Sequence, residues 1–278
     1  MDTDPISVDL NVDAALVLKE MVGIDSYPPV LAILPNIYRI ADRDRVYAVV
    51  TEELTEAGIV VGGEVHATVA GWLHCLARPD TELEVRILDD GVEGHPSALL
   101  RISLVRQAET HVLAVRCDDE VIIQPVFCES GQLDAHAAAL RSALGAHPAL
   151  AFDPFTLLGA DLADVSGDQE SRRAAFRELG APTHTANVLA RALDEVVRRA
   201  EVVMTEHRDG VAADDETQCC MSVLDTVSGR LVVTPSVALD GRIWTTFRPG
   251  DDAALLGGIT ALADLLPGRS WFDTTRAG

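Results

Sequence analysis

The sequence predicts an α+β fold: a mostly antiparallel central β-sheet with helical bundles, organised as an internal pseudo-twofold repeat. Three observations carry this expectation. One order of elements, helices then four strand-like runs then a helix, occurs twice. The two copies match residue by residue when the first is shifted by 119 positions. The match preserves loop lengths through four strands and into the next helix, apart from one inserted residue.

The elements follow from local signals. Asn11 is placed to cap a first helix to about Val22. Ser26-Tyr27-Pro28-Pro29 opens an extended stretch to Ile40. Asp44 then starts a helix carrying Val46, Val49, Val50 and Leu54 at helical spacing, stopped by Gly58. Val65, Val69, Trp72, Leu73 and Leu76 line another helix, stopped by Pro79. Four strands are expected at Glu82–Leu88, Ala98–Gln107, Thr110–Cys117 and Glu120–Phe127. Ser130 is read as the cap of the next helix, with Leu133, Ala137, Leu140 and Leu144 on one face and Gly145 at its end.

Phe152–Asp168 mixes Pro154, Gly159 and Gly167 with polar residues and reads as the connector. Helices are expected over Gln169–Leu179 and Thr183–Ala200. Strands follow at Glu201–His207, Thr217–Thr226, Arg230–Val237 and Arg242–Phe247. The last helix, Asp251–Leu266, begins with two acids and ends at Pro267-Gly268, the polarity that the helix dipole favours. At the shift of 119, Glu82-Leu83 falls on Glu201-Val202 and Ile102-Ser103-Leu104-Val105 on Met221-Ser222-Val223-Leu224. One inserted residue then brings Phe127 onto Phe247. The expected units are residues 1–150 and 151–278, pairing their sheets into one compact domain.

Charge bounds the function. The formal charge is −22 and the only lysine is Lys19, so nucleic acid would be repelled over much of the surface. No window holds the roughly 20 apolar residues of a membrane span, and Met1-Asp2-Thr3-Asp4-Pro5 lacks a signal pattern. A cytoplasmic, soluble protein with no membrane insertion is expected. Five cysteines without a CxxC read as reduced thiols.

Chemistry is sparse. G-x-S-x-G, P-loop, H-E-x-x-H and G-x-G-x-x-G motifs do not occur, and no metal-ligand spacing is present. No cofactor and no metal are expected. His74-Cys75 reads as a packed helix edge, and Gly62-Gly63 as a weak candidate for receiving an anion. Glu206-His207-Arg208-Asp209-Gly210 offers two carboxylates beside a histidine, a catalytic alternative, although a charged hairpin turn is the simpler reading. Trp72 and Trp244 read as core residues rather than binding platforms, with a ligand surface the alternative for Trp244, which faces away from Ile243, Thr245 and Phe247.

Several segments resemble one known family. Glu206-His207-Arg208-Asp209-Gly210 and Asp240-Gly241-Arg242-Ile243-Trp244-Thr245-Thr246-Phe247-Arg248-Pro249-Gly250 are similar to the EspG family, chaperones of mycobacterial and related actinobacterial ESX (type VII) secretion. So are Ser26-Tyr27-Pro28-Pro29-Val30-Leu31-Ala32-Ile33 and Leu266-Pro267-Gly268-Arg269-Ser270-Trp271-Phe272. The likeness leans toward the paralogue of the third ESX system. It implies a non-enzymatic protein that binds PE–PPE heterodimers through the PPE tip, keeps them soluble and delivers them for export.

Two regions are expected to carry such binding. One is the hairpin loop Asp89–Ser97, with Asp89, Asp90, Gly91, Val92, Glu93, Gly94 and His95, together with its repeat counterpart Arg208–Glu216, including Arg208, Asp209 and Glu216. The two loops are read as equal in length and different in chemistry. The other is a set of polar residues, Ser222, Thr234 and Ser236, expected on an open sheet face. A catalytic turn and a self-associating structural protein, with weak homodimerisation, are the alternatives.

Overall fold

The computed structural model describes residues 4–35, 40–89, 98–165, 167–208 and 219–276. The chain opens with a short strand, β1 (Val8–Asn11), whose last residue caps α1 (Val12–Val22): the Asn11 side chain accepts from Ala14 N–H at 2.7 Å. A 3₁₀ turn (Pro29–Leu31) leads towards α2 (Ile40–Glu56). Gly62 and Gly63, both at positive φ, form the two-residue turn joining β2 (Val60–Val61) to β3 (Glu64–Val65), so they make a hairpin rather than an anion cradle. Then come α3 (Ala67–Ala77), β4 (Thr81–Asp89), β5 (Ala98–Gln107), β6 (Thr110–Cys117), β7 (Glu120–Pro125) and α4 (Asp134–Leu144).

The second half holds β8 (Phe155–Leu158), a 3₁₀ segment (Gly159–Asp164), α5 (Gln169–Glu178), α6 (Thr183–Ala192), β9 (Val196–Glu206), β10 (Cys220–Thr226), β11 (Gly229–Val237), β12 (Ile243–Pro249) and α7 (Asp252–Leu265). Three expectations change here. The connector contains an edge strand, β8. The helix from Thr183 stops at Ala192, and Val196–Ala200 joins β9, because nine-residue pairing with β4 outweighs the helical pattern. A turn from Glu129 to Gln132, with Gly131 at positive φ, displaces the start of α4 to Asp134, so Ser130 is not its cap.

All ten main-sheet strands pair antiparallel, in the order β1-β7-β6-β5-β4-β9-β10-β11-β12-β8. The order reads as a five-strand set met by its mirror in sequence. Register refines the repeat. Leu104↔Leu113 corresponds to Val223↔Val232, the expected shift of 119. Leu83↔Leu104 corresponds to Ala200↔Val223, so β4 maps onto β9 by 117. Leu113↔Gln124 corresponds to Val232↔Arg248, a shift of 124 for the fourth strand. Val85 pairs with Val202, its own equivalent at 117, and this pair marks the pseudo-twofold.

Two expectations are corrected by this. The link from β11 to β12 is five residues longer than its counterpart, so Phe127 does not match Phe247: Phe127 is 90% exposed and Phe247 is 2% exposed. The loop after β9 is two residues longer than the loop after β4, not equal to it. A slip of two keeps every side chain on its face, which is why strand periodicity conceals it.

Helices cover the sheet in a staggered way. On one face, α4 and α7 pack over the centre against Leu83, Val85, Ile87, Ala200, Val202 and Val223. On the other, α1–α3 pack over β5, β6 and β7, while α5 and α6 pack over β11 and β12. Burying each large aliphatic side chain contributes about 1.5–3 kcal/mol, which makes these three clusters the main cohesive term. Trp72 is core, as expected; Trp244 is only half-buried, with the Arg242 guanidinium 5.8 Å from its ring centroid. Trp271 of the C-terminal segment is 1% exposed and donates from Nε1 to His111 Nε2 at 3.1 Å.

Candidate functional site

The staggered helices leave a strip of β4, β9 and β10 between the two outer groups, bordered by β5, where the 3₁₀ turn Pro29–Leu31 packs against the sheet. Side chains there follow from alternation: Leu83, Val85 and Ile87 point to α4 and α7, so Glu82, Glu84, Arg86 and Leu88 point the other way. Register aligns them into rows. One row runs Leu99, Leu88, Arg199, Leu224. The next runs Arg116, Arg101, Arg86, Glu201, Ser222. A third runs Ser103, Glu84, Val203, Cys220. Arg86 is half-exposed and lies 3.8 Å from Glu84. Burial and the neighbouring Glu82 charge raise the Glu84 carboxyl above its usual range.

Towards one end of the strip Glu82 is already occupied, while Thr205 Oγ1 opposite it is buried without a partner among the described residues. Ser103 Oγ donates to Glu82 Oε1 at 2.7 Å, and His207 Nε2 lies 3.2 Å from Glu82 Oε2. Glu206 accepts from Gly268 N–H and from Arg208 Nε, each at 2.7 Å. The Glu206-His207-Arg208 segment therefore ties β9 to the C-terminal segment and to β4. Asp209 lies outside the described residues. Cys75 is 1% exposed and burial pushes its thiol up to about 12, which fits the packed helix edge expected for His74-Cys75.

The two expected loops spring from opposite ends of the central strands. Asp89 faces Arg198 in the ladder, and Thr81 faces Glu206. Eight residue steps separate these ends, about 27 Å at strand rise. Asp89 is held by Arg198 at 2.9 Å, and Arg198 also donates to Leu144 O at 2.8 Å. Arg208 is exposed at the other stem. Asp90, Gly91, Val92, Glu93, Gly94 and His95, and likewise Glu216, lie outside the described residues.

The polar set is not a single surface. Ser222 lies opposite Val233, while Thr234 and Ser236 alternate with Val233 and share the face of Val232. Thr234 is also buried at 9% exposure. Only Ser222 stands on the open strip; the expectation that all three share it fails because adjacent residues of β11 alternate. The sequence reading missed Leu88, Leu99, Arg86 and Arg101. Their alternation was visible, but their neighbourhood depends on the pairing of β4 with β5 and β9. A cavity of about 600 Å³ adjoins the strip, lined among others by Leu158, Cys220, Pro235, Ile243 and Thr245. No helix among the described residues is long and apolar enough to cross a membrane.

Comparison with known proteins places this architecture. The EspG family model matches residues 11–261. The chain is 31% identical to the ESX-3 secretion-associated protein EspG3 of Mycolicibacterium smegmatis, covering 96% of this chain and 90% of that protein. It is 28% identical to the ESX-1 secretion-associated protein EspG1 of Mycobacterium marinum, covering 99% and 94%. Among solved structures it superposes with a TM-score of 0.79 on the Mycobacterium tuberculosis type VII secretion system chaperone EspG5, determined in complex with a PE25-PPE41 dimer. That match has 19% identity and covers 97% of this chain and 100% of that one, a likeness of fold. From the family match along nearly the whole chain, this protein belongs to the EspG family.

Proposed function

We propose that this chain is a cytoplasmic secretion-associated chaperone that binds PE–PPE heterodimers at the PPE tip, keeps them soluble and targets them to a type VII (ESX) secretion system. The observation that carries the reading is EspG membership along nearly the whole chain, joined to a sheet whose central strip lies between two helical groups. The exposed apolar tip of a helical bundle is an aggregation liability, and covering it requires an interface of about 1,200–2,000 Å². A ten-stranded sheet with flanking helices offers a surface of that scale. Residues 1–150 and 151–278 act together, because the strip draws strands from both.

No catalytic step belongs to this function. The loop stems Asp89 and Arg208 lie towards opposite ends of the central strands, and the loop nearer the docked tip sets specificity. The test is co-expression with a PE–PPE pair encoded beside a secretion locus of the same genome. A soluble co-eluting complex on gel filtration is expected. Separate elution from every such pair overturns the reading, and a concentration-dependent dimer of the free chain in its place supports self-association.

A further inference from the structure

The open strip carries a charge arrangement that the fold alone does not favour. Register sets Arg116, Arg101 and Arg86 directly opposite one another across β6, β5 and β4. Like charges in that relation destabilise a sheet. They occur here in a chain with a formal charge of −22 and 22 basic residues in all. Two of the three have work within the molecule. Arg116 donates to Leu31 O at 2.8 Å, to Ala32 O and to Asp118 O, clamping the 3₁₀ turn to β6. Arg86 leans towards Glu84 and has Glu201 opposite it on β9. Arg101, half-buried between them, has no ion pair or hydrogen bond among the described residues. Burial, and then the Arg101 charge, lower the Arg116 guanidinium.

Next to this row, two residues along each strand, sit Leu88 and Leu99, paired with one another and half-buried. Two strand residues span about 6.7 Å. One helical turn, i to i+4, rises about 6 Å. A helix lying along β4 therefore meets the Leu88–Leu99 pair and the basic row with side chains one turn apart.

We infer that Arg101 and Arg86 receive a carboxylate side chain of the docked helical partner, one turn from an apolar residue seated on Leu88 and Leu99. The inference rests on the chaperone reading and adds the chemistry of its partner. A carboxylate accepts the fork of Arg101 and relieves the repulsion along the row, so the charge pattern that is unfavourable in the free chain becomes favourable in the complex. It also makes encounter faster at low salt.

The experiment uses the full chain and a purified cognate PE–PPE heterodimer, with affinity and association rate measured at low and high salt. Arg101→Gln should weaken binding about tenfold or more. It should also flatten the salt dependence of association and leave the melting temperature of the free chain unchanged or raised. Arg86→Gln should act in the same direction, and Arg101→Lys should restore part of the loss. Unchanged affinity and salt dependence in both Gln variants overturns the inference while leaving the chaperone reading intact. Weaker binding accompanied by a lower melting temperature of free Arg101→Gln also overturns it, because the arginine is then structural. A wild-type chain that binds no PE–PPE pair removes both.

Discussion

Replacing Asp225 by alanine should destabilise the chain by about 3–5 kcal/mol, because it strands a buried charge. The magnitude follows from the surroundings of Arg230. Its Nε donates to Asp225 Oδ1 at 2.6 Å and its Nη2 to Asp225 Oδ2 at 2.9 Å, a bidentate pair. The two side chains are 3% and 4% exposed. Among the described residues, its other acceptors are Gly145 O at 3.2 Å and Leu144 O at 3.4 Å, carbonyls at the C-terminal end of α4. Those dipoles do not neutralise a full charge away from water. At roughly 2–4 °C per kcal/mol for a chain of this size, the melting temperature should fall by about 6–20 °C. Urea unfolding with an unchanged m-value would identify the loss as native-state stability. The double variant Asp225→Ala, Arg230→Met should recover much of the loss, since an apolar side chain of similar reach leaves nothing unpaired. A single variant within about 1 kcal/mol of wild type, or a double variant no better than the single, would refute the argument.

Three further outcomes are expected. His136 is fully buried with neither ring nitrogen hydrogen-bonded among the described residues, and burial, then the charge of His111, pushes its pKa down to about 3. A histidine kept neutral in the fold binds its proton first when unfolded. Its contribution is therefore full above about pH 6.5 and is lost as pH falls towards 3, by up to about 1.4 kcal/mol per pH unit. His136→Leu should flatten that part of a stability–pH curve, and parallel curves for the two proteins would count against the assignment. A Cβ at Gly258 of α7 would stand 2.6 Å from Met221 Sδ of β10, so Gly258→Ala should overpack this contact and cost about 1–3 kcal/mol by denaturant titration. Exchanging Val92–His95 for Gly and Ser should weaken PE–PPE binding while leaving the melting temperature nearly unchanged; a large loss of stability would assign the loop a structural role instead.

Much of the fold was legible in the sequence because its signals are local. β5 and β6 have the bounds that alternation predicts, Asn11 caps α1, and Gly145 ends α4. The repeat was visible for the same reason, since two copies of one local pattern can be matched without knowing what they touch. The four-residue edge strands β1 and β8 escaped, being too short for a period to register. Of the expected binding residues, most of both loops lies outside the described residues, and Ser222 was grouped with Thr234 and Ser236, which lie on the other face.

By itself, then, the sequence determined the α+β class, the duplicated hairpin unit, the antiparallel sheet and the acidic, motif-poor character that argues against catalysis. Local periodicity reports which face of a strand is apolar, and composition reports charge. The tertiary structure alone decided the pairing of β4 with β9 about Val85 and Val202, the conversion of Val196–Ala200 from helix to strand, and the alignment of Arg116, Arg101 and Arg86. Each depends on which strand lies beside which and in what register. That is a property of partners distant in sequence, and a two-residue slip leaves the hydrophobic pattern of either strand unchanged.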